Sequence, residues 1–328
     1  MINRRSFLGN ALATAGAIAM PSPAFAQTDD WPSKPVRIVV PFSAGGAADI
    51  LTRILAEKLQ GKFGQQFAVD NRTGAGGNIG MVAVQTAPPD GYTIASATIG
   101  TLSINEFLFA RMPYDPVKDF TYVSTIWENC NVLVVSAEHP ARTVQEFLTW
   151  AKARPQGVTF SSSGVGTTPH LSGELLRMKT GIQSLHIPFR GAAQSMPEVI
   201  SGNVDFAIDN IASWVPMLRA GKARALGVTS SYRWPTLPDV PTMAEAGVQD
   251  FVVTSWGAFV MPQGTPAAIT SKLSAALQGF ASEPALQQRF LTAGARAVAT
   301  TPQETAAFAA RERAKWKDVV RISGAKVE

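Results

Sequence analysis

The sequence predicts an α/β fold built as two domains. Three observations predict it. Strand-like and helix-like segments alternate along the chain, which implies parallel sheets covered by helices. Glycine-rich turns recur where a strand ends and a helix begins. The length of 328 residues suits two domains, at roughly 150 residues each.

The first element is an export signal. Residues 1–26 read MINRRSFLGNALATAGAIAMPSPAFA. The basic pair Arg4-Arg5 precedes an apolar stretch over 11–20, and Ala24-Phe25-Ala26 supplies the small residues of a cleavage site. Cleavage after Ala26 would leave a mature chain beginning at Gln27, outside the cytoplasm. The apolar stretch is too short for a transmembrane helix, which needs roughly 20 residues. Arg4-Arg5-Ser6-Phe7-Leu8 resembles a twin-arginine signal, with the ordinary secretory route as the alternative. No cysteine stands at the cleavage site, so no lipid anchor is expected there.

After Gln27, the β-branched run 36–40 feeds the turn Pro41 to Gly46. Residues 49–59 then carry Ile50, Leu51, Ile54, Leu55 and Leu59 at helical spacing. The design repeats: a strand at 67–69, the turn Asn71 to Gly77, and a helix over 79–86. It appears again as a strand at 158–160, the turn Ser161 to Thr168, and a helix opening at Pro169 with Thr168 as its cap. Thr143-Val144-Gln145-Glu146 and Thr301-Pro302-Gln303-Glu304 are capping boxes, the second opening a helix to about residue 322. Thr265-Pro266 starts another helix. Further strands are expected at 92–96, 132–135, 204–208, 225–228 and 255–260. Two β-rich stretches, 121–135 (interrupted at 127–131) and 251–261, are expected to cross between domains. They divide the chain into domain 1, residues 27–130 plus 253–328, and domain 2, residues 131–252.

Composition narrows the chemistry. Apolar residues reach 46% and charged residues only 16%, against about 25% charged in typical soluble proteins. The net charge is +5, with lysines and arginines dispersed and no interleaved aromatics, so no nucleic-acid partner is expected. The one cysteine, Cys130, allows no intramolecular disulfide and no cysteine zinc cage, and the three histidines lack metal-site spacing. No metal and no cofactor are expected.

A helix N-terminus carries unpaired N–H groups and a partial positive charge, and so suits an anion. Glycine lets backbone approach a ligand closely. The three turns therefore point to a small anion held largely by dipoles. They are not nucleotide loops: after Gly74-Ala75-Gly76 the third glycine of a dinucleotide fingerprint is replaced by Ile79, and after Gly164-Val165-Gly166 by Pro169. Asp49 either contacts a ligand or supports its own helix start. Arg190 either pairs with a carboxylate or is solvated, and Asp209-Asn210 either lines a cleft or starts a turn. His170 is a cap, a packing residue or a contact. No nucleophile elbow surrounds Ser161 to Ser163.

The stretches PFSAGGAADI (41–50), GAGGNIG (74–80), PYDPVKDF (113–120), SSSGVGTTPHLSGELL (161–176), FRGAAQSMPEVISGNVDFAIDN (189–210), LPDVPTMAEAG (237–247) and GAFVMPQGTPAAITSKL (257–273) stand in one order along the mature chain. Together they resemble the extracytoplasmic solute receptors of the tripartite tricarboxylate transporter family, the Bug proteins. The resemblance implies a type II-like periplasmic binding protein: two domains, each a mostly parallel sheet flanked by helices, with the ligand cleft between them. It implies a monomer that takes a small organic carboxylate and delivers it to integral-membrane transporter subunits, without catalysis. The family's ligand loops fall on Phe42, Ser43, Ala44, Gly45 and Gly46 with Asp49, and on Gly74, Ala75, Gly76 and Gly77. They continue on Ser161, Ser163, Gly164, Gly166, Thr167 and Thr168 with His170, and Arg190, Gly191 and Asp209 match motif positions. Three departures stand out: Phe189 in place of a common tyrosine, Glu198 in place of aspartate, and Asn105-Glu106 in place of Asn-Pro. Two alternatives belong to other classes: a secreted α/β hydrolase using Ser161 to Ser163 with His170, and a carboxylate sensor reporting to a membrane signalling partner.

Overall fold

A computed structural model describes residues 30–323 and Lys326. The signal sequence and its cleavage site lie outside the described residues.

The first half opens with β1 (Val36–Val40), α1 (Ala47–Phe63), β2 (Phe67–Asn71), α2 (Asn78–Gln85) and β3 (Thr93–Thr98). A π-helical turn at Gly100–Ile104 and the short α3 (Asn105–Leu108) follow. The 17-residue strand β4 (Phe120–Ser136) then leads into α4 (Val144–Lys152), β5 (Val158–Ser162), α5 (Thr168–Thr180) and β6 (Ser184–Pro188). Next come α6 (Ala192–Ile200), β7 (Phe206–Asn210), α7 (Ile211–Arg219) and β8 (Ala223–Val228). The chain closes with β9 (Thr254–Pro262), α8 (Ala267–Ala281), α9 (Pro284–Thr292), β10 (Arg296–Ala297) and α10 (Pro302–Ser323).

The strand order is β2-β1-β3-β9-β4-β7-β5-β6, with β8 and β10 also paired to β4. β4 organises both halves. From Phe120 to Cys130 it pairs with β9, and from Asn131 onward it pairs with β7 and β8. It runs unbroken through 127–131, where the sequence suggests an interruption; its register shifts against β9 fall earlier, at Tyr122/Ser124 and Thr125/Trp127. The sheet is mixed. Pairs joined through helices, β1 with β2 and β3, and β5 with β6 and β7, are parallel. Pairs made by β4 and β9 are antiparallel. Parallel neighbours need a crossover, usually a helix, whereas antiparallel pairs carry no such requirement.

Local rules fix the helix starts. Thr143 caps α4 by accepting from the Glu146 amide at 3.1 Å, while Glu146 accepts from the Arg142 amide at 2.7 Å. α5 is capped by Thr167, one residue before the expected Thr168, so Pro169 occupies the second helical position. α8 begins at Ala267 behind Pro266, and the Thr265 hydroxyl instead donates to the Pro262 carbonyl at 2.7 Å. The sheet is covered on both faces. On one face Leu51, Leu55 and Leu59 of α1 pack with Leu273 and Leu277 of α8 against Ile38 of β1; on the other Met81 and Val84 of α2 pack in one cluster with Val39 of β1 and Trp316 of α10. The consequence for function is positional: the carboxyl ends of β1, β2, β3, β5 and β7 meet where β4 crosses, which is where ligands bind in open α/β sheets.

Candidate functional site

Two adjoining cavities open at that meeting point, and Phe42 and Ser163 line both. The inner one has a volume of about 40 Å³. One water needs roughly 10–15 Å³ on this measure, so the space fits a carboxylate head rather than a whole ligand. The outer one is open and has a volume of about 430 Å³.

Four helices point their N-termini at the inner cavity. Gly46, Ala47 and Ala48 start α1; Thr167, Thr168 and Pro169 start α5; Ala192 starts α6; Asn210 and Ser213 belong to the start of α7. Each start carries N–H groups without an intrahelical partner and a partial positive charge. The two halves touch across the cleft. The Ala47 amide donates to Ser213 Oγ at 2.8 Å. A Cβ placed on Gly76 would lie 2.3 Å from the Val165 carbonyl oxygen, and one on Gly191 would strike Ser43 Oγ.

Of the expected site residues, Phe42, Gly46, Ser163, Thr167, Thr168 and Asp209 line the inner cavity. Gly74, Ala75, Gly76, Gly77, Gly164 and Arg190 line the outer one. The others stand behind these walls. Asp49 is 3% exposed and faces its own loop: it accepts from the Gly45 amide at 2.9 Å, from Asn71 Nδ2 at 3.0 Å and from Arg53 Nε at 3.0 Å. It thereby holds the turn before α1. Ser43 and Gly191 meet each other, and Ala44 and Gly45 lie on the exposed outside of the turn. Gly166 packs on Asn105, whose Nδ2 donates to the Gly76 carbonyl at 3.1 Å. Asn105 thus braces both glycine turns, and the neighbouring Glu106 pairs with Arg313 of α10.

His170 is buried and stacks on His186, their ring centroids 4.1 Å apart. Burial holds both imidazoles below the usual histidine range, His186 down to about 3, with His170 adding to that depression. The serine that pairs with a histidine is Ser162, whose Oγ lies 2.7 Å from His186 Nε2. Ser162 is fully buried, and Ser161 is fully buried with its Oγ unpartnered.

Asp209, at the end of β7, is 1% exposed. Its Oδ1 accepts from the Asn210 amide at 2.6 Å, and its Oδ2 is buried without a hydrogen-bond partner. Burial pushes its carboxyl up to about 6; the Asn210 amide and the nearby Trp214 indole pull the other way. Asp209 and Arg190 are the charged residues lining the two cavities among the described residues. No group of three or more His, Cys, Asp and Glu suited to a metal occurs among the described residues. No helix described is long and apolar enough to cross a membrane.

Several lining residues carry weak sequence signals. Thr98, Ile99 and Gly100 form a further strand–glycine–helix junction, legible in the same terms as the other turns. Phe189, Pro188 and Gln194 line the outer cavity, so the Phe189 departure falls on the cleft wall. Trp127 and Ser255 reach the inner cavity from the antiparallel β4–β9 pairing, which nothing local in the sequence announces.

Residues 51–324 match the profile of the tripartite tricarboxylate transporter family receptor. Protein BugT of Bordetella pertussis is 35% identical over 322 residues, covering 98% of this chain and 97% of that protein. The structure of R. palustris Rpa4515 with adipate superposes with a TM-score of 0.89 at 36% identity, covering 90% of this chain and all of that one, 100%. MatC from Rhodopseudomonas palustris with bound malate superposes with a TM-score of 0.83 at 31% identity, covering 88% of this chain and 100% of that one.

Proposed function

The chain belongs to the tripartite tricarboxylate transporter receptor family, a family of solute-binding receptors, and from that premise we propose that it captures a small organic carboxylate in this cleft. One observation carries the reading: the start of α1, α5, α6 and α7 at one cavity the size of a carboxylate head. Preorganised N–H groups and dipoles meet an anion at little reorganisation cost. The outer cavity takes the rest of the molecule, where Phe109, Phe189 and Arg190 would sort ligands by length and polarity. The relatives with adipate and with malate support an organic acid as the ligand class.

We read the two halves, residues 27–130 with 253–328 and residues 131–252, as domains that part to release ligand. The switch of β4 partners at Cys130/Asn131 supports this division. The receptor works as a monomer, after export and cleavage behind Ala26, and hands its acid to the integral-membrane subunits of a tripartite transporter. N-terminal analysis of the periplasmic protein should begin at Gln27; a soluble protein retaining residues 1–26 would refute the export step. The hydrolase alternative is disfavoured, because the serine facing a histidine is buried behind the cavity wall.

The test is a thermal-shift panel of mono-, di- and tricarboxylates, with the solutions assayed afterwards for conversion. A ligand at 100 times its dissociation constant adds about 2.7 kcal/mol, which raises Tm by several degrees at roughly 2–4 °C per kcal/mol. At least one acid should do so and be recovered unchanged. No stabilising acid, or turnover of one, would refute the proposal.

A further inference from the structure

A carboxylate entering the inner cavity arrives beside Asp209, a carboxylate itself. We propose that Asp209 is a proton-sharing ligand contact: the bound acid and the Asp209 carboxyl hold one proton between them, drawn from solvent on binding. The inference rests on the carboxylate reading above and adds the protonation state of the complex.

The geometry leads there in three steps. First, Asp209 Oδ2 is a buried polar atom without a partner in the wall of a cavity. Such atoms are rare, because buried polar groups are nearly always hydrogen-bonded. The Trp214 indole lies near Asp209, but its Nε1 too is buried without a hydrogen bond in range, so the molecule that fills the cavity is the partner left for Oδ2.

Second, nothing around Asp209 supplies a cation. Its register partner on β4 is Val132, next to Asn131, whose Nδ2 donates to Ser172 of α5 at 2.9 Å. β5 brings the neutral Ser161, α6 the neutral Ala192, and α7 the neutral Ser213 and Trp214. The first turn of α5 brings His170, which burial pushes below the usual histidine range and which stacks on His186; Glu174, Arg177 and Lys179 stand further along that helix. The first turn of α1 brings Asp49, which is already tied to Arg53; Glu57, Lys58 and Lys62 stand further along that helix. No ionised side chain acts on Asp209; burial alone raises it to about 6.

Third, the cavity is too small, at about 40 Å³, to keep two anions apart. Adjacent carboxylates cannot both stay ionised, and one proton comes to belong to the pair. The dipoles of the four helix starts stabilise the single remaining charge.

Linkage gives the sign. Above the pH at which free Asp209 ionises, binding takes up a proton, so affinity falls as pH rises. The dissociation constant should grow about tenfold per pH unit between roughly pH 6.5 and 8.5. A ligand hydroxyl or ammonium group donating to Oδ2 would satisfy the same atom with no proton uptake.

The experiment is calorimetric titration with adipate, with malate and with any acid that stabilises the protein, in two buffers of different ionisation enthalpy at pH 7.5. It is repeated across the pH range and on the isosteric Asp209→Asn. The expected result is uptake approaching one proton and a falling affinity with pH in the natural protein, with both effects lost in D209N. Binding without proton uptake, or an unchanged pH slope in D209N, overturns proton sharing and leaves the carboxylate reading standing. The uptake measured on the natural protein decides even if D209N fails to fold. Failure of every acid to bind overturns both.

Discussion

Gly76→Ala is expected to weaken ligand binding while leaving the protein folded. Gly76 sits in the outer cavity with φ of +61°, facing Val165 on the opposite half. A methyl there would lie 2.3 Å from the Val165 carbonyl oxygen and 3.3 Å from the Phe109 ring. The carbonyl is backbone and cannot rotate aside, so the facing turns must separate by roughly 1 Å to reach ordinary contact. Overpacking of this kind costs about 1–3 kcal/mol. If the halves part on release, that cost falls on the closed, liganded form alone. It converts to roughly a 5- to 150-fold loss of affinity. The left-handed backbone adds about 1–2 kcal/mol for a non-glycine residue, but it does so in open and closed forms alike and lowers only stability. Gly181→Ala is the control: its φ is +71°, with nothing within 4 Å of the added methyl. The assay is calorimetric affinity for the acid identified in the panel, with Tm recorded for both variants. Both should lose stability, and G76A alone should lose affinity. Affinity of G76A within twofold of G181A would refute the closure argument.

Other perturbations separate the remaining parts of the account. Asp209→Asn should stabilise the ligand-free protein at pH 8: the folded carboxyl titrates near 6 rather than 3.8, a difference worth up to about 3 kcal/mol. Because the folded value is the higher one, the natural protein loses stability as pH rises through that window, and denaturant midpoints of the two proteins should converge below about pH 4. Ala75 holds φ of +48° between glycines, so Ala75→Gly should raise Tm or leave it unchanged, where alanine-to-glycine changes usually lower it; a clear drop would refute the strain argument. Arg190 is exposed at the rim of the outer cavity, so Arg190→Ala should cost less than about 1.4 kcal/mol, tenfold in affinity. A loss of 100-fold in titration would move anion recognition from the helix starts to that side chain.

The parts of the fold carried by local signals were legible in the sequence. β1, its turn and α1 follow from a β-branched run, a glycine pair and helical leucine spacing, and Asp49 reads as support for that turn because it stands in the first helical turn. α6 and α7 were not legible. Each contains an interior proline, Pro197 and Pro216, which removes a helical N–H and argues against a helix. β6 is a short edge strand that ends on Pro188, and its two apolar residues, Leu185 and Ile187, make too brief an alternation to mark a strand. The glycine turns pointed to the cleft, but Trp127 and Ser255 enter it through pairing between distant strands. Their roles depend on tertiary register, which spacing along the chain does not encode. Asp209 was visible as a strand end; its unpartnered Oδ2 follows only from how α5, α6 and α7 close around it.

In the proposed complex a carboxylate head sits in the inner cavity, held by helix N-termini. A crystal structure of the protein with the acid from the panel tests it most directly. The carboxyl carbon is expected between Phe42, Thr168, Ala192 and Asp209, with at least one backbone N–H of α1, α5 or α6 within hydrogen-bond distance, directly or through one water. An acid lying wholly in the outer cavity on Arg190, with the inner cavity holding only water, would contradict it.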